Sequence, residues 1–508
     1  MGDQSTVLTA DDARQMIRRL GFGIPAKESK KYTVDGLTGL TRGAAADLFL
    51  AFRPKGFKPK GADFVAAHNK WLKYMLKAKK GFALQEKLVL FFHDHFATNY
   101  TTLANQQGAE NAITLLAEQN RLLRRSCNGN FRTLVKNVGL DPAMMSFLDT
   151  VDNVKEQPNE NYGRELLELF TLGVKDLNGY DNYRQDDVVQ VARAFTGWRF
   201  TSNTILVHLH EPAHDFTAEF PARGPKVLFG VPHPVLPGHT VGGFASPQAF
   251  TVGGEGANEI DEVVDILFQH TDSDGENTVA RHLTFKLLEY FTYARPDKAT
   301  VDAIGAASGF VGTWELLPLL RAIIVHDVFY ETAAPPFGAG TRKSVRWPVD
   351  YVLGTLRTLA VTPKGKELQL QGGDFSELFD LLADMGQTVL DPPSVFGWNW
   401  EESWISGIGL LARYKFVRDV VSSRFSKAFK PQKLIDTDLT DPGQIVDAVT
   451  AQLGVGDQLN GVQRAALIDY LTDDGAVATL DLDDYDTRNR KLHGLYGLVL
   501  QSAAGILH

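Results

Sequence analysis

The segment NENYGRELLELFTLG, residues 159–173, carries the pattern on which the interpretation of the chain rests. Pro158 and Asn159 stand where a helix begins most readily, and Gly173 stands where a helix commonly ends. Apolar side chains recur between them at spacings of three and four, which predicts a helix with one side in a core. These side chains are Leu166, Leu169, Phe170 and Leu172.

The same segment carries a second, polar side. Asn161, Arg164, Glu165 and Glu168 follow one another at about one helical turn, so they share a face. Two carboxylates, an amide and a guanidinium on one face have two interpretations. One is a solvated surface with an Arg–Glu pair, and the other is the wall of a functional site. Spacing alone does not separate them.

Composition bounds the class of protein. The chain has 508 residues, 44% of them apolar, and a net charge of −9 without a long basic run. This argues against nucleic acid or an anionic membrane surface as the main partner. No apolar run reaches the length of a membrane helix. Cys127 is the single cysteine, which excludes an intramolecular disulfide framework and a multi-cysteine metal site.

The chain reads as mainly α: a large multi-helix globular domain with a loop-rich insertion carrying short β-strands. We divide it into an N-terminal helical part (1–198), an irregular insertion (199–256), a second helical part (257–425) and a C-terminal helical extension (426–508). The insertion is rich in glycine and proline and holds five histidines. Long irregular segments of this kind often carry function.

A second candidate cluster is His93, Asp94 and His95, at the end of the apolar helical segment 84–99. The two histidines diverge by about 200° on a helix, so they can clamp one metal only if the helix ends between them. Imidazole with carboxylate suits Zn, Mn or Fe. The alternative is a buried His93 bonded to a backbone carbonyl and an exposed His95.

Glu165 and Glu168 also allow more than one chemistry. Carboxylates one turn apart can bridge a metal, or can raise one pKa and give a general acid beside a general base. Their Glu-x-x-Glu spacing differs from the Glu-x-x-His of di-iron bundles. Structurally, Glu165 would instead pair with Arg193 or Arg164. Walker A, dinucleotide-binding, Gly-x-Ser-x-Gly and His-Glu-x-x-His motifs do not occur.

Several motifs in order resemble a large bacterial family, the domain of unknown function number 1800. They are RRLGFG (18–23), HDHF (93–96), the segment 159–173, AFTGW (194–198), His214-Asp215 with a later Lys226, and DPPSVFGW (391–398). The resemblance covers roughly residues 8–425. It singles out His214-Asp215 as an imidazole held by a carboxylate, suited to general base work or metal ligation.

The resemblance also bears on location and partners. Members are often exported and encoded beside sulfatase-like proteins, which favours a periplasmic or secreted protein with an envelope protein as partner. The first residues of this chain show no leader pattern, so we expect either a cytoplasmic protein or one whose leader has been removed.

Three hypotheses result. The first is a hydrolase or lyase acting on an extended substrate such as a polysaccharide, or on a small molecule, with a divalent metal held by His93 or His95 as an option. Its catalytic residues would be Glu165, Glu168, Asp94, His214 and Asp215, and its substrate-binding residues Asn161, Arg164, Trp198 and Trp398. The second is a metal- or haem-dependent oxidoreductase centred on His93, His95 and His214. The third is a non-catalytic envelope or assembly protein.

Overall fold

The computed structural model describes residues 3–26, 28–79, 81–201, 205–216, 223–230, 250–252, 256–331, 344–361, 376–422 and 428–507. Helices account for most of these residues, and the strands are few and short. The predicted fold class, mainly α with a small β component, is therefore confirmed. None of the described helices is both long enough and apolar enough to cross a membrane.

The helices of the first part of the chain are α1 (Ala10–Leu20), α2 (Val34–Leu37), α3 (Arg42–Leu50), α4 (Phe64–Lys77), α5 (Gly81–His95), α6 (Tyr100–Gln107), α7 (Ala109–Ser126), α8 (Phe131–Gly139), α9 (Pro142–Phe147), α10 (Asn161–Glu165) and α11 (Gln185–Ala194).

The helices of the second part are α12 (Glu259–Leu267), α13 (Thr278–Phe291), α14 (Lys298–Ser308), α15 (Phe310–Thr313), α16 (Leu316–Val325), α17 (Pro348–Thr358), α18 (Ser376–Asp384), α19 (Gly407–Val421), α20 (Pro442–Leu453), α21 (Gly461–Thr472), α22 (His493–Gln501) and α23 (Ala503–Ile506).

Two small antiparallel sheets occupy the predicted insertion. Strands β1 (Trp198–Thr201) and β2 (Leu206–Leu209) pair with Trp198 opposite Leu209. Strands β3 (Val227–Leu228) and β4 (Phe250–Thr251) pair with Val227 opposite Thr251. His233 and His239, which belong to the predicted His-rich loop, lie outside the described residues. The division of the chain at residues 198, 256 and 425 stays a prediction.

Helix α5 is the central element of the core. Every residue from Ala83 to His95 is buried, and α1, α3 and α7 pack around the helix. A helix enclosed on all sides buries its polar side chains as well as its apolar ones, and each buried charge needs a partner. Because α5 contains charged residues in its first half, its packing depends on ion pairs in the core.

Two buried ion pairs meet this need. Glu86 pairs with Arg124 of α7, and both side chains are fully buried. Trp71 of α4 donates its indole N–H to the same carboxylate over 3.0 Å. Lys87 pairs with Asp350 of α17, again inside the protein. These contacts join helices that lie far apart in the sequence.

The segment 159–173 folds as a helix of two kinds. Helix α10 continues directly into a π-helical turn, Leu166–Thr171, whose wider winding was not predicted. Leu166, Leu167 and Phe170 face the core. Gly173 follows with φ +79°, the left-handed conformation expected of a glycine that ends a helix.

Replacing Glu86 by glutamine tests the buried ion pair. The substitution leaves the Arg124 charge buried without its counter-charge, so we expect the free energy of unfolding to fall by about 3–5 kcal/mol. Urea unfolding followed by circular dichroism measures the loss. The matched control is Asp447→Asn, which breaks the solvent-exposed pair with Arg464 and should cost less than about 1 kcal/mol. Equal losses in the two variants would contradict the interpretation.

Candidate functional site

One cavity of about 320 Å³ brings together parts of both candidate clusters. Its walls come from the end of α5, the π-helical turn with the loop after it, α13, and the loop 395–400. Asp94, His95 and Glu168 line it, as do His282, Lys286 and Trp400. Apolar side chains complete the lining; among them are Phe91, Leu169, Leu172, Phe285, Val395 and Phe396.

Asp94 lies in the last turn of α5 and is almost fully buried. Its Oδ1 accepts the backbone N–H of Trp398 over 2.7 Å, and its Oδ2 accepts the indole N–H of Trp400 over 3.0 Å. Burial raises the pKa of this carboxyl to about 7, against the opposing effect of these donors and of the Lys286 charge. Asp94 can therefore hold or release a proton near neutral pH.

Gly397 lets the loop approach Asp94 so closely. The glycine has φ +79°, and a Cβ atom placed on it would lie 2.3 Å from Asp94 Oδ1. A side chain at this position would therefore push the carboxyl away from its two donors. In this chain, glycine at position 397 is therefore what permits the contact.

His95 and His282 bind the end of the π-helical turn. The Nε2–H groups donate to the carbonyl oxygens of Phe170 and Leu169, over 3.2 and 3.1 Å, which would otherwise lack partners at a helix end. Burial lowers the pKa of His282 to about 4 and that of His95 well below its ordinary value. Both rings are therefore neutral, and their Nδ1 atoms carry lone pairs, because a carbonyl accepts only from N–H.

The two glutamates of the segment 159–173 have different positions. Glu168 lines the cavity and accepts the hydroxyl hydrogen of Tyr183 over 2.8 Å. Glu165, one turn earlier, lies outside the lining, and its buried Oε2 has no hydrogen bond within the described residues. Burial, followed by the charge of Glu168, raises the pKa of Glu165 to about 7. One proton can therefore reside on this pair at neutral pH.

The predicted substrate-binding residues of this segment lie outside the cavity. Arg164 binds Glu160 over 3.0 Å and Gln185 over 2.9 Å. The exposed Asn161 donates to Asp149 over 3.3 Å. The partner expected for Glu165, Arg193, binds Asp215 instead.

His93 points away from the cavity and into the core. Its ring lies between Trp71 and Trp398, with centroid distances of 5.6 and 5.5 Å. Burial lowers its pKa to about 3, and its Nε2 has no hydrogen bond among the described residues. The helix ends at His95, after both histidines, so they diverge as on any α-helix. In the described part of the chain, no three His, Cys, Asp or Glu side chains are grouped to hold a metal.

His214 and Asp215 belong to a separate buried network. His214 donates through Nδ1 to the Thr196 carbonyl over 2.8 Å, and its Nε2 lies 3.4 Å from Glu259. Asp215 binds Arg193 over 2.9 Å, and although burial opposes it, this contact keeps the pKa of Asp215 below its usual value. Lys226, a residue of the family motif, pairs with Glu259 over 2.9 Å. None of these residues lines the cavity.

The predicted tryptophans also separate. Trp198 and Trp398 are buried and do not line the cavity, whereas Trp400, two residues after Trp398, does. The residues that sequence reasoning missed are His282 and Lys286, four positions apart on α13. That helix has an ordinary amphipathic pattern, so its sequence offers only this spacing as a signal.

A Gly397→Ala substitution tests the contact that positions Asp94. We expect the free energy of unfolding to fall by roughly 3 kcal/mol, because the new methyl group adds a clash with Asp94 to backbone strain. Gly179→Ala is the matched control, since Gly179 has φ +90° and open space around its Cβ position. It should cost only the strain, about 1 kcal/mol. Chemical denaturation compares them, and equal losses would count against the clash.

Comparison with known proteins gives a family and no activity. Residues 10–503 match the sequence model of a family described as "Protein of unknown function (DUF1800)". The match continues to residue 503, beyond the segment 8–425 that the motifs cover. Neither the comparison with curated proteins nor that with solved structures gave a match. Since the match covers nearly the whole chain, the protein belongs to the DUF1800 family.

Proposed function

We propose that the protein is a hydrolase or lyase in which Asp94 is the general acid and Glu168 the base, acting on an extended substrate such as a polysaccharide. The observation that supports this most directly is the cavity itself. Asp94 and Glu168, from distant parts of the chain, line it together with Asp176 and Asp272, and Asp94 has a pKa of about 7. Acid and base on one cavity are what cleavage of a glycosidic bond requires.

Asp94 suits the role of acid because its protonated and ionised forms are nearly equally populated at neutral pH. Burial favours the protonated carboxyl, which can give its proton to a leaving group. The N–H donors of Trp398 and Trp400 and the charge of Lys286 then stabilise the carboxylate that remains. Burial, which raises the pKa to about 7, allows the proton to return at neutral pH.

Glu168 suits the role of base because it lines the same cavity from a different element, the π-helical turn. Its bond from Tyr183 fixes one carboxylate oxygen and leaves the other for a water molecule or a substrate hydrogen. Glu165, one turn away, supplies a second site for the proton that Glu168 accepts. In this proposal Glu165 is a positioning residue, since it does not line the cavity.

The remaining lining suits a sugar ring. Trp400 and the exposed Phe396 present aromatic surface, and the neutral His95 and His282 carry lone-pair nitrogens on Nδ1 that can accept hydroxyl hydrogens. A mixed lining of this kind is typical of small-ligand sites. His214 and Asp215 have no direct part in the reaction proposed here, because they lie in the separate buried network.

The pH dependence of turnover tests Asp94. Activity requires its protonated form, so we expect activity to fall as pH rises through about 7, and this alkaline limb to disappear in Asp94→Asn together with most of the turnover. The measurement is the pH profile of kcat/KM. Glu165, whose pKa is also about 7, provides the control: the limb should persist in Glu165→Gln. A limb lost in Glu165→Gln and kept in Asp94→Asn would reverse the assignment.

A panel of polysaccharides tests the reaction class. We expect wild-type protein to release reducing ends from at least one member, and Glu168→Gln to lower kcat by about 10²–10⁴-fold with little change in KM. Glutamine keeps the acceptor for Tyr183, so folding should be preserved, which circular dichroism checks. Arg164→Gln, at a surface position outside the cavity, serves as the unaffected control. If wild-type protein is inert on every member of the panel, polysaccharides are rejected as the substrate class. If Glu168→Gln is fully active, Glu168 is rejected as the base.

A further inference from the structure

Three cationic side chains line the cavity, and two of them are already neutralised. Arg281 binds Asp272, Asp274 and Asp302 at 2.7–2.8 Å. Lys175 binds Asp181 at 2.7 Å. These two cations stabilise the loops that they join and leave little charge for a ligand.

Lys286 is the third cation, and it differs from the other two. It lies on α13, one turn after His282, and is half-buried at the cavity wall. Its Nζ is 4.8 Å from the centroid of the Trp400 ring. Within the described residues, this ammonium has no carboxylate partner and no hydrogen-bond acceptor. An ammonium has three N–H donors, and the ring covers only one side of it.

The neighbouring acids do not cancel this charge. Asp94 is directed to the N–H groups of Trp398 and Trp400, and burial favours its uncharged form. Glu289, one turn further along α13, accepts the backbone N–H of Arg295 over 3.2 Å and makes no ion pair with Lys286. A positive charge thus remains beside the acid and the aromatic ring, partly shielded from water. The N–H donors of Lys286 are therefore available to an anion that enters the cavity.

We infer that Lys286 binds an anionic substituent of the substrate, a carboxylate or a sulfate ester, next to the bond that Asp94 protonates. The inference rests on the proposed function and narrows its substrate class to acidic glycans. The ammonium holds the anion, while Trp400 and Phe396 of the neighbouring loop contact the ring that carries it. Phe396 is 66% exposed and lines the same cavity, so its side chain is available for such a contact.

Binding of two matched probe pairs tests this. One pair is an oligogalacturonate and its methyl ester, and the other is a sulfated galactan oligosaccharide and its desulfated form. We expect wild-type protein to bind the charged member of one pair at least tenfold more tightly than the neutral one, by calorimetry or tryptophan fluorescence. The pair that shows the difference identifies carboxylate or sulfate. Added salt should reduce the difference.

The variants assign the effect to one residue. Lys286→Gln should lower the affinity for the charged probe about tenfold and leave the neutral probe unchanged. Lys286→Arg should keep most of the preference. Lys175→Gln is the matched control: it removes a lysine of the same cavity whose charge is already paired, so the preference should persist.

Three outcomes overturn the inference: neither charged probe binds, charged and neutral members bind equally, or Lys286→Gln keeps the full preference. They differ from the failure of the proposed reaction. If the protein prefers the charged probe but cleaves nothing, the anion site is supported and the hydrolase or lyase activity is rejected. If the protein cleaves neutral glycans through Asp94 without a preference for charged ones, the proposed reaction is supported and the anion site is rejected.

Discussion

The complete burial of helix α5 is the constraint on which the rest of the structure depends. A helix in the middle of a core must satisfy its polar side chains internally, because an unpaired buried charge costs several kcal/mol. In the first half of the helix, Glu86 pairs with Arg124 and Lys87 pairs with Asp350. At its other end Asp94 and His95 meet the same requirement with N–H groups and a carbonyl. The first half of α5 thus carries the ion pairs that stabilise the core, and its last turn carries the proposed catalytic acid.

The difference between the two ends lies in the type of partner. Glu86 and Lys87 meet side chains of full opposite charge. Asp94 meets only neutral donors directly, with a lysine charge nearby, so burial and hydrogen bonding nearly balance. His95 and His282 are held neutral by burial. At the cavity the chain therefore places a carboxyl group whose pKa is about 7 beside two uncharged imidazoles. Ion pairs occur both in the closed core around α5 and at the cavity wall, where Arg281 and Lys175 are paired.

Periodicity sufficed to predict the mainly helical fold class. It also predicted the apolar helix through Phe91 and the helix that begins at Asn161, because apolar side chains recur strongly at helical spacing in both. It also placed Asp94 and Glu168 on polar positions of separate helices. Periodicity could not show that Asp94 and Glu168 line the same cavity, since that depends on packing between distant segments. The π-helical turn was missed because it differs from an α-helix in winding and leaves no compositional mark. Trp398 was predicted to bind substrate, but Trp400 lines the cavity instead. The sequence of a loop does not reveal which side chain the turn at Gly397 directs to the cavity.

The position of the loop 395–400 in the chain has a consequence for biosynthesis. The two groups that hold Asp94 are 304 and 306 residues further along the sequence. During translation these two hydrogen bonds can form only after the residues that donate them have been synthesised. The proposed acid therefore obtains its two hydrogen-bond donors only when about four-fifths of the polypeptide has been made. A truncated or incompletely folded chain would carry the same residue without the same reactivity.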